Sequence, residues 1–153
     1  MPDIDARLKE LGITLPEAPA PAANYVPYVI TATLCFVSGQ IALGPNGPIR
    51  GRLGETMSVA EGQAAARACG LALIAQLRAA LGGDLNRLIQ VVKLTGFVNS
   101  TPDFTEHPAV VNGASDLMVQ VFGDRGRHAR AAVGCASLPL GVAVEVEGVF
   151  RIA

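Results

Sequence analysis

The residues of this chain best suited to chemistry lie in its last quarter, where an arginine is followed by two glutamates. Arg130 precedes a short apolar run, residues 131–136, and Glu145 and Glu147 lie in a second apolar run beyond a Leu-Pro-Leu-Gly turn. The planar guanidinium of an arginine can hold a carboxylate by two parallel hydrogen bonds. A glutamate can act as a general base and activate a water molecule for attack on an electrophilic carbon. These residue types indicate a site for a small carboxylate.

The two apolar runs predict a β-hairpin around the turn at residues 138–141. Side chains alternate between the two faces of a strand, so each run is expected to have a core face and an opposite face. The predicted core face holds Val133, Cys135, Val142, Val144 and Val146. The predicted pocket face holds Arg130, Ala132, Gly134, Ala136, Glu145 and Glu147, and its small residues leave room for a ligand.

Each charged residue of this pocket face also has a purely structural interpretation. Arg130 could form a salt bridge with Glu145 or Glu147 that joins strands or subunits. Glu145 could be the partner of Arg130, or an edge charge that discourages aggregation. Glu147 shares the predicted face with Glu145 and is the less favoured candidate, better assigned to a structural pair.

Several motifs, in order, resemble the RidA family, which is also called the YjgF or L-PSP endoribonuclease family. Arg130, Leu138-Pro139 and Glu145 follow one another at the family's intervals without a gap. Residues 36–41, Phe-Val-Ser-Gly-Gln-Ile, resemble its Ser-Gly-Gln strand. Tyr25 lies at the expected distance before Ser38, and Asn112 lies roughly where the family has a site asparagine. The resemblance covers about residues 23–150.

This resemblance implies a chorismate-mutase-like α+β fold that assembles as a homotrimer with sites at the subunit interfaces. It also implies a deaminase that hydrolyses reactive 2-imino acids, tautomers of enamines such as 2-aminoacrylate, to 2-oxo acids and ammonia without a cofactor. In that reaction Arg130 would anchor the substrate carboxylate and Glu145 would orient the attacking water. The implied substrate-binding residues are Tyr25, Ser38, Gly39, Asn112 and Ala132.

The substrate-binding candidates have structural alternatives too. Tyr25 could be a packing residue, with Tyr28 as the true site member. Ser38 lacks a visible His–acid partner, which argues against a serine nucleophile. Gly39 lies inside a strand, where glycine permits close approach of a ligand or another backbone. Asn112 could simply belong to the first turn of a helix.

The chain departs from the family pattern at several points. Ala132 occupies a position where many relatives have a cysteine, and His128 replaces a small or apolar residue. The connection over residues 104–112 is several residues longer than usual, and about twenty additional residues precede Tyr25. Arg130 and Glu145 keep the proposed chemistry intact, whereas the longer connection and arm leave the pocket size and the substrate open.

Two other classes of function are compatible with parts of the pattern. One is a non-catalytic trimer that binds a small carboxylate as a sensor or regulator. The other is a ribonuclease, as the older family name suggests. A net charge of −1, two Tyr and no Trp give little basis for binding nucleic acid, so nucleic acid is not an expected partner.

A short arm followed by one domain is the predicted organisation. Residues 1–22 are expected to hold a helix over residues 4–11 and a Pro/Ala-rich arm, and residues 23–153 the RidA-like domain. Strands are predicted at 26–31, 34–42 and 88–98, a loop at 44–57, and helices at 58–81 and 109–122. The first long helix begins with the capping box Ser58-Val-Ala-Glu61. Its predicted buried stripe is Ala66, Cys69, Leu73, Leu77 and Leu81.

The element order β-β-α-β-α-β-β predicts an α+β sheet with both long helices on one face. The other face is predicted to carry Phe36, Val91, Phe97 and the small residues around Arg130. Hydrophobic residues make up 50% of the chain and charged residues only 16%, so a partner subunit is expected to cover that face.

Cellular location and metal binding follow from simpler features. No run resembles a membrane-spanning helix, and the acidic Met-Pro-Asp-Ile-Asp start lacks the pattern of a signal peptide, so a cytoplasmic protein is expected. Three widely spaced cysteines are expected to be buried, unpaired thiols. The two histidines, His107 and His128, lack metal-ligand spacing, so no metal is expected.

Overall fold

A five-stranded sheet carries two long helices on one face in the computed structural model, which describes residues 2–21 and 23–153. The helices are α1 (Ile4–Glu10), α2 (Val59–Ala80) and α3 (His107–Phe122). The sheet consists of β1 (Tyr28–Thr31), β2 (Leu34–Ile41), β5 (Leu88–Asn99), β6 (Ala129–Cys135) and β7 (Val144–Ile152). A small ribbon of β3 (Leu43–Gly44) and β4 (Gly47–Pro48) lies in the predicted loop. The predicted α+β class and element order are confirmed.

The strand order is β1-β2-β7-β5-β6, and β5 and β6 form the parallel pair. The predicted hairpin of β6 and β7 is therefore wrong, because β5 lies between them and pairs with both. The connection from β6 to β7 crosses the end of β5, where the Asn99 amide donates a hydrogen bond to the Ala143 carbonyl (2.9 Å). The local Pro/Gly signal correctly predicts a change of direction, but it does not determine which strand is the neighbour.

Helix α2 forms where its sequence predicts. The Ser58 hydroxyl accepts a hydrogen bond from the Glu61 amide (3.2 Å), and the Glu61 carboxylate accepts one from the Ser58 amide (3.1 Å). Every residue of the predicted stripe is buried. Helix α3 crosses α2 closely at Gly113, where a Cβ atom would lie 2.8 Å from the backbone carbon of Gln63. This close crossing lets both helices cover the same face of the sheet.

The two faces of the sheet differ from the prediction at particular residues. Val91 is fully buried beneath the helices, because irregular pairing on both sides of it changes the alternation of β5, so its predicted place on the open face is wrong. Val142, Val144 and Val146 are buried as predicted. Val133, predicted to be core, is 45% exposed, and Cys135 is only half-buried.

The N-terminal helix packs onto this body. Ile4 and Leu8 are buried in the main hydrophobic core, and the Arg7 side chain donates a hydrogen bond to the Gln120 carbonyl (2.9 Å). Met1 and Ala22 lie outside the described residues, and the division after residue 22 stays a prediction. Cys35, Cys69 and Cys135 are free thiols. None of the helices within the described ranges is long and apolar enough to cross a membrane.

Candidate functional site

A cavity of about 650 Å³ lies around Glu145, between strands β2 and β7 and the N-terminal arm. Its polar lining residues are Tyr25, Ser38, Gln40, Gln76, Glu145 and Glu147. Its remaining lining comes from Gly39 and apolar residues of the sheet, the arm and the β6–β7 connection. This volume falls within the range of typical small-molecule sites, roughly 300–1,000 Å³. The cavity therefore contains four residues of the predicted site, namely Tyr25, Ser38, Gly39 and Glu145.

A β-bulge in β2 opens the sheet at this cavity. Val37 pairs with Gly148 and Gln40 with Val146, so Ser38 and Gly39 together face the single residue Glu147. A Cβ atom at Gly39 would overlap Oε1 of Glu145 and lie 3.1 Å from its Cδ. The glycine therefore provides the space in which the Glu145 carboxyl group lies.

The carboxyl group of Glu145 has an altered acidity. Burial raises the pKa of Glu145 above its usual value, and the neighbouring Glu147 carboxylate raises it further. A carboxylate with a raised pKa is a stronger base than an ordinary surface glutamate. This property suits a group that takes a proton from water.

Ser38 and Tyr25 have distinct places at this site. The Ser38 hydroxyl donates a hydrogen bond to the Val26 carbonyl (2.8 Å), and the Ser38 amide donates one to the Pro27 carbonyl (2.9 Å). Ser38 therefore fastens the end of the arm to the bulge. Tyr25 lines the cavity, whereas Tyr28 packs against the hydrophobic core.

The other predicted site residues cluster elsewhere, on strand β6 and helix α3. Nη1 of Arg130 donates hydrogen bonds to the Asn112 side-chain oxygen (2.7 Å) and the Ser115 hydroxyl (3.1 Å), and Nη2 donates one to the Pro108 carbonyl (3.3 Å). Of the five guanidinium donors, the Nε–H and one Nη2–H have no partner within the described residues. That pair of nitrogens is the edge a carboxylate can take by two parallel hydrogen bonds.

The prediction that Arg130 and Glu145 share a face is wrong. Arg130 lies opposite the fully buried Leu94 on β5, whereas Val133 and Glu145 flank Phe97 from its two sides. Directly opposed residues share a face, so Arg130 lies on the helix face and Glu145 on the open face. The predicted hairpin would have placed them together; the insertion of β5 separates them.

This separation bears on the remaining candidates. Ala132 lies on the same side as Arg130 and packs partly against the core. Asn112 holds Arg130 from within α3, rather than lying in the first turn of the helix. Among the described residues Arg130 forms no salt bridge with either Glu145 or Glu147.

Comparison with known proteins identifies the family. Residues 5–149 match the family model described as "YjgF/chorismate mutase-like, putative endoribonuclease". The chain belongs to the YjgF/RidA family. It is 54% identical over 151 residues to protein TCP17 of Trypanosoma cruzi, covering 97% of this chain and 94% of that protein.

Two solved structures are similar to this chain. The Atu1372 protein of Agrobacterium tumefaciens is 48% identical, with a TM-score of 0.91, and the match covers 98% of this chain and 92% of that one. RidA from an Antarctic Psychrobacter is 27% identical, with a TM-score of 0.60 and coverage of 89% and 94%. The chorismate-mutase-like fold implied by the sequence is confirmed.

Two buried glutamines at the cavity of this YjgF/RidA-family chain were not predicted. Gln76 and Gln40 are only 2% and 7% exposed. Gln76 interrupts the apolar run Leu-Ala-Leu-Ile-Ala-Gln-Leu over residues 71–77 of α2. A polar residue in a buried stripe needs a hydrogen-bond partner, so that interruption was the available signal. No group of three or more His, Cys, Asp or Glu side chains in residues 2–21 and 23–153 could hold a metal ion.

Proposed function

We propose that this protein is a 2-imino acid deaminase that works as a homotrimer, with each active site formed between two subunits. The observation that carries the proposal is the half-buried Glu145 carboxyl group, which faces a cavity of about 650 Å³ in a YjgF/RidA-family fold. The reaction converts a 2-imino acid and water into a 2-oxo acid and ammonia.

Glu145 supplies the base in this proposal. Its carboxylate takes a proton from a water molecule as the water oxygen bonds to the imine carbon. The nitrogen takes up a proton as the C=N double bond becomes a single bond, which gives a carbinolamine. The carbinolamine hydroxyl then loses its proton as the C=O bond forms and the C–N bond breaks, and the nitrogen, after receiving a further proton from Glu145 or solvent, leaves as ammonia. A raised pKa favours this exchange, because the carboxyl group can both accept and return a proton.

Arg130 of a second subunit anchors the substrate carboxylate in this proposal. Its free Nε and Nη2 edge suits that role, and Asn112 and Ser115 hold the guanidinium in a fixed orientation. The face that carries Glu145 also exposes apolar side chains, including Val29 (53% exposed) and Phe36 (44% exposed). An apolar surface of this kind supports burial against another copy of the chain.

Two observations argue against the alternative of a ribonuclease. The net charge of the chain is −1, which gives no electrostatic attraction for RNA. The charged side chains lining the cavity are the carboxyl groups of Glu145 and Glu147, and these would repel a phosphate backbone. A non-catalytic carboxylate sensor differs from the deaminase only in releasing no ammonia, so the assay below separates them.

The test measures ammonia release from imino acids generated in situ by an amino acid oxidase, with and without the protein. Arg130→Lys keeps the positive charge but loses the two-pronged contact, so we expect a loss of at least roughly tenfold in kcat/KM, about 1.4 kcal/mol. Arg127→Lys is the matched control, because Arg127 lies three residues earlier and pairs with the exposed Asp124. The control should retain full activity.

Three outcomes would overturn the proposal. The first is full deaminase activity in a folded Arg130→Lys trimer, which removes the anchoring role. The second is a stable monomer at micromolar concentration by light scattering, which removes the shared site. The third is ligand binding without acceleration of ammonia release, which favours the sensor.

A further inference from the structure

The N-terminal arm forms one wall of the Glu145 cavity. Pro19, Ala20, Pro21 and Ala23 all line it, together with Glu145. These are small or rigid apolar residues that add no charge to the cavity. The arm therefore contributes to the shape of the cavity and to its apolar character.

Hydrogen bonds fasten the arm at both ends of this wall. At one end, the side-chain amide of Gln76 donates to the Pro19 carbonyl (2.6 Å) and to the Gln40 side-chain oxygen (3.4 Å). Gln40 in turn donates to the Ser38 carbonyl in the bulge (2.8 Å). At the other end, Ser38 binds the carbonyl groups of residues 26 and 27. A buried amide without partners is costly, so these contacts favour the arm in its place over the cavity.

The size and lining of the cavity indicate what it can accept. The ionisable side chains that line it are Tyr25, Glu145 and Glu147, and no lysine, arginine or histidine is among its lining residues. A substrate carboxylate would be repelled here and must be held by a cation from outside the cavity. Most of the wall is apolar, and Ile41, Leu43, Phe97 and Leu140 line it in addition to the arm residues. The part of a ligand that extends past the reacting imine toward the arm is therefore uncharged and apolar.

We propose, resting on the deaminase function above, that the arm turns this cavity into a pocket for the substrate side chain. The substrate class is then 2-imino acids with branched or aromatic apolar side chains, in preference to 2-iminopropionate. A methyl group would leave most of the apolar lining contributed by the arm uncovered, whereas a larger side chain buries apolar surface against the arm.

The test compares kcat/KM for the imines derived from leucine and phenylalanine with that for the imine derived from alanine. The wild-type protein should favour the larger imines. Ala20→Phe fills the cavity from the arm, and Gln76→Met removes the tether at similar side-chain volume. Each should lower the ratio of large-imine to small-imine kcat/KM by at least roughly tenfold, since single methylene groups in apolar pockets change such ratios by about 10–200-fold.

Asn24→Phe is the matched control, because Asn24 closely follows the arm, is exposed, and is absent from the cavity lining. It adds the same ring outside the pocket and should leave the ratio unchanged. Thermal melting of all variants shows whether a changed ratio comes from the altered cavity wall or from unfolding of the protein. An unchanged ratio in both folded test variants, or a wild-type protein without preference for the larger imines, overturns the inference.

Binding measurements distinguish this inference from the deaminase proposal. If the wild-type protein hydrolyses no imine, the deaminase proposal fails. Calorimetric titration with 4-methyl-2-oxopentanoate and with pyruvate then tests the pocket alone. Tighter binding of the larger oxo acid, lost in Ala20→Phe, supports the pocket, and equal affinity for the two oxo acids refutes it.

Discussion

Replacing Gly39 by alanine tests whether Glu145 acts from its observed position. The backbone at Gly39 does not adopt a positive φ, so alanine fits the backbone and only its methyl group is new. That methyl group would overlap Oε1 of Glu145 and lie 3.1 Å from Cδ and 3.3 Å from Cγ. The carboxyl group must move by about 1 Å to restore normal contacts.

The expected result is a large loss of activity with a small loss of stability. A displacement of about 1 Å at a reacting group can reduce the rate roughly 100-fold, which corresponds to about 2.7 kcal/mol in kcat/KM. The displaced atoms are the end of a half-buried side chain, so the stability cost should lie near or below about 1 kcal/mol, the low end for overpacking.

The assay is ammonia release from the in situ imines, with thermal melting as the measure of stability. Gly44→Ala serves as the control, because a Cβ atom there would lie 3.4 Å from Ile49, an ordinary contact distance. If Gly39→Ala retains activity within about threefold of wild type, the observed position of the carboxyl group does not serve catalysis, and the assignment of Glu145 as the base fails.

Two further substitutions test the electrostatics and the helix packing. Because the folded-state pKa of Glu145 is raised, the folded chain loses stability as the pH rises from the ordinary carboxyl range through that pKa. Glu145→Gln should therefore raise Tm at about pH 7 and make little difference near pH 4; equal gains at both pH values would contradict the burial argument. Gly113→Ala would press a methyl group against the Gln63 backbone, so urea denaturation should show a loss of about 1–3 kcal/mol, and unchanged stability would refute the close helix crossing.

The elements of this fold follow from local patterns, but the strand pairing does not. The capping box at Ser58 and the buried stripe of α2 are properties of residues three or four apart, so the sequence is sufficient to predict them. The pairing of β5 with both β6 and β7 joins residues far apart in the chain. Two apolar runs beside a Pro/Gly turn indicate a hairpin by local criteria, and no local signal reports a third strand between them.

That one error in pairing accounts for the wrong placement of Arg130 and Glu145 on the same face of the sheet. Alternation correctly predicts that Arg130 and Ala132 share a face, and that Glu145 and Glu147 share one. Which faces of β6 and β7 coincide depends on β5, the strand between them. Phe97 of β5 pairs with Val133 on one side and with Glu145 on the other, so Glu145 shares a face with Val133. A shift of one residue in relative register exchanges the faces. The glutamine tether was missed for a different reason, since its partner is a backbone carbonyl of the arm.

Arg130 and Glu145 lie on opposite faces of the sheet, and this placement has a consequence for how subunits could assemble around the proposed site. Under the deaminase proposal, each chain carries one half-site with Glu145 on the open face and another with Arg130 beneath α3, and the sheet lies between them. A two-fold dimer uses one self-complementary patch, which would have to contain both halves. In a head-to-tail ring, the Arg130 surface of each subunit instead contacts the Glu145 surface of the next subunit, so every half-site is paired once. Under the deaminase proposal, the positions of Arg130 and Glu145 therefore favour a closed ring, such as a trimer, over a two-fold dimer.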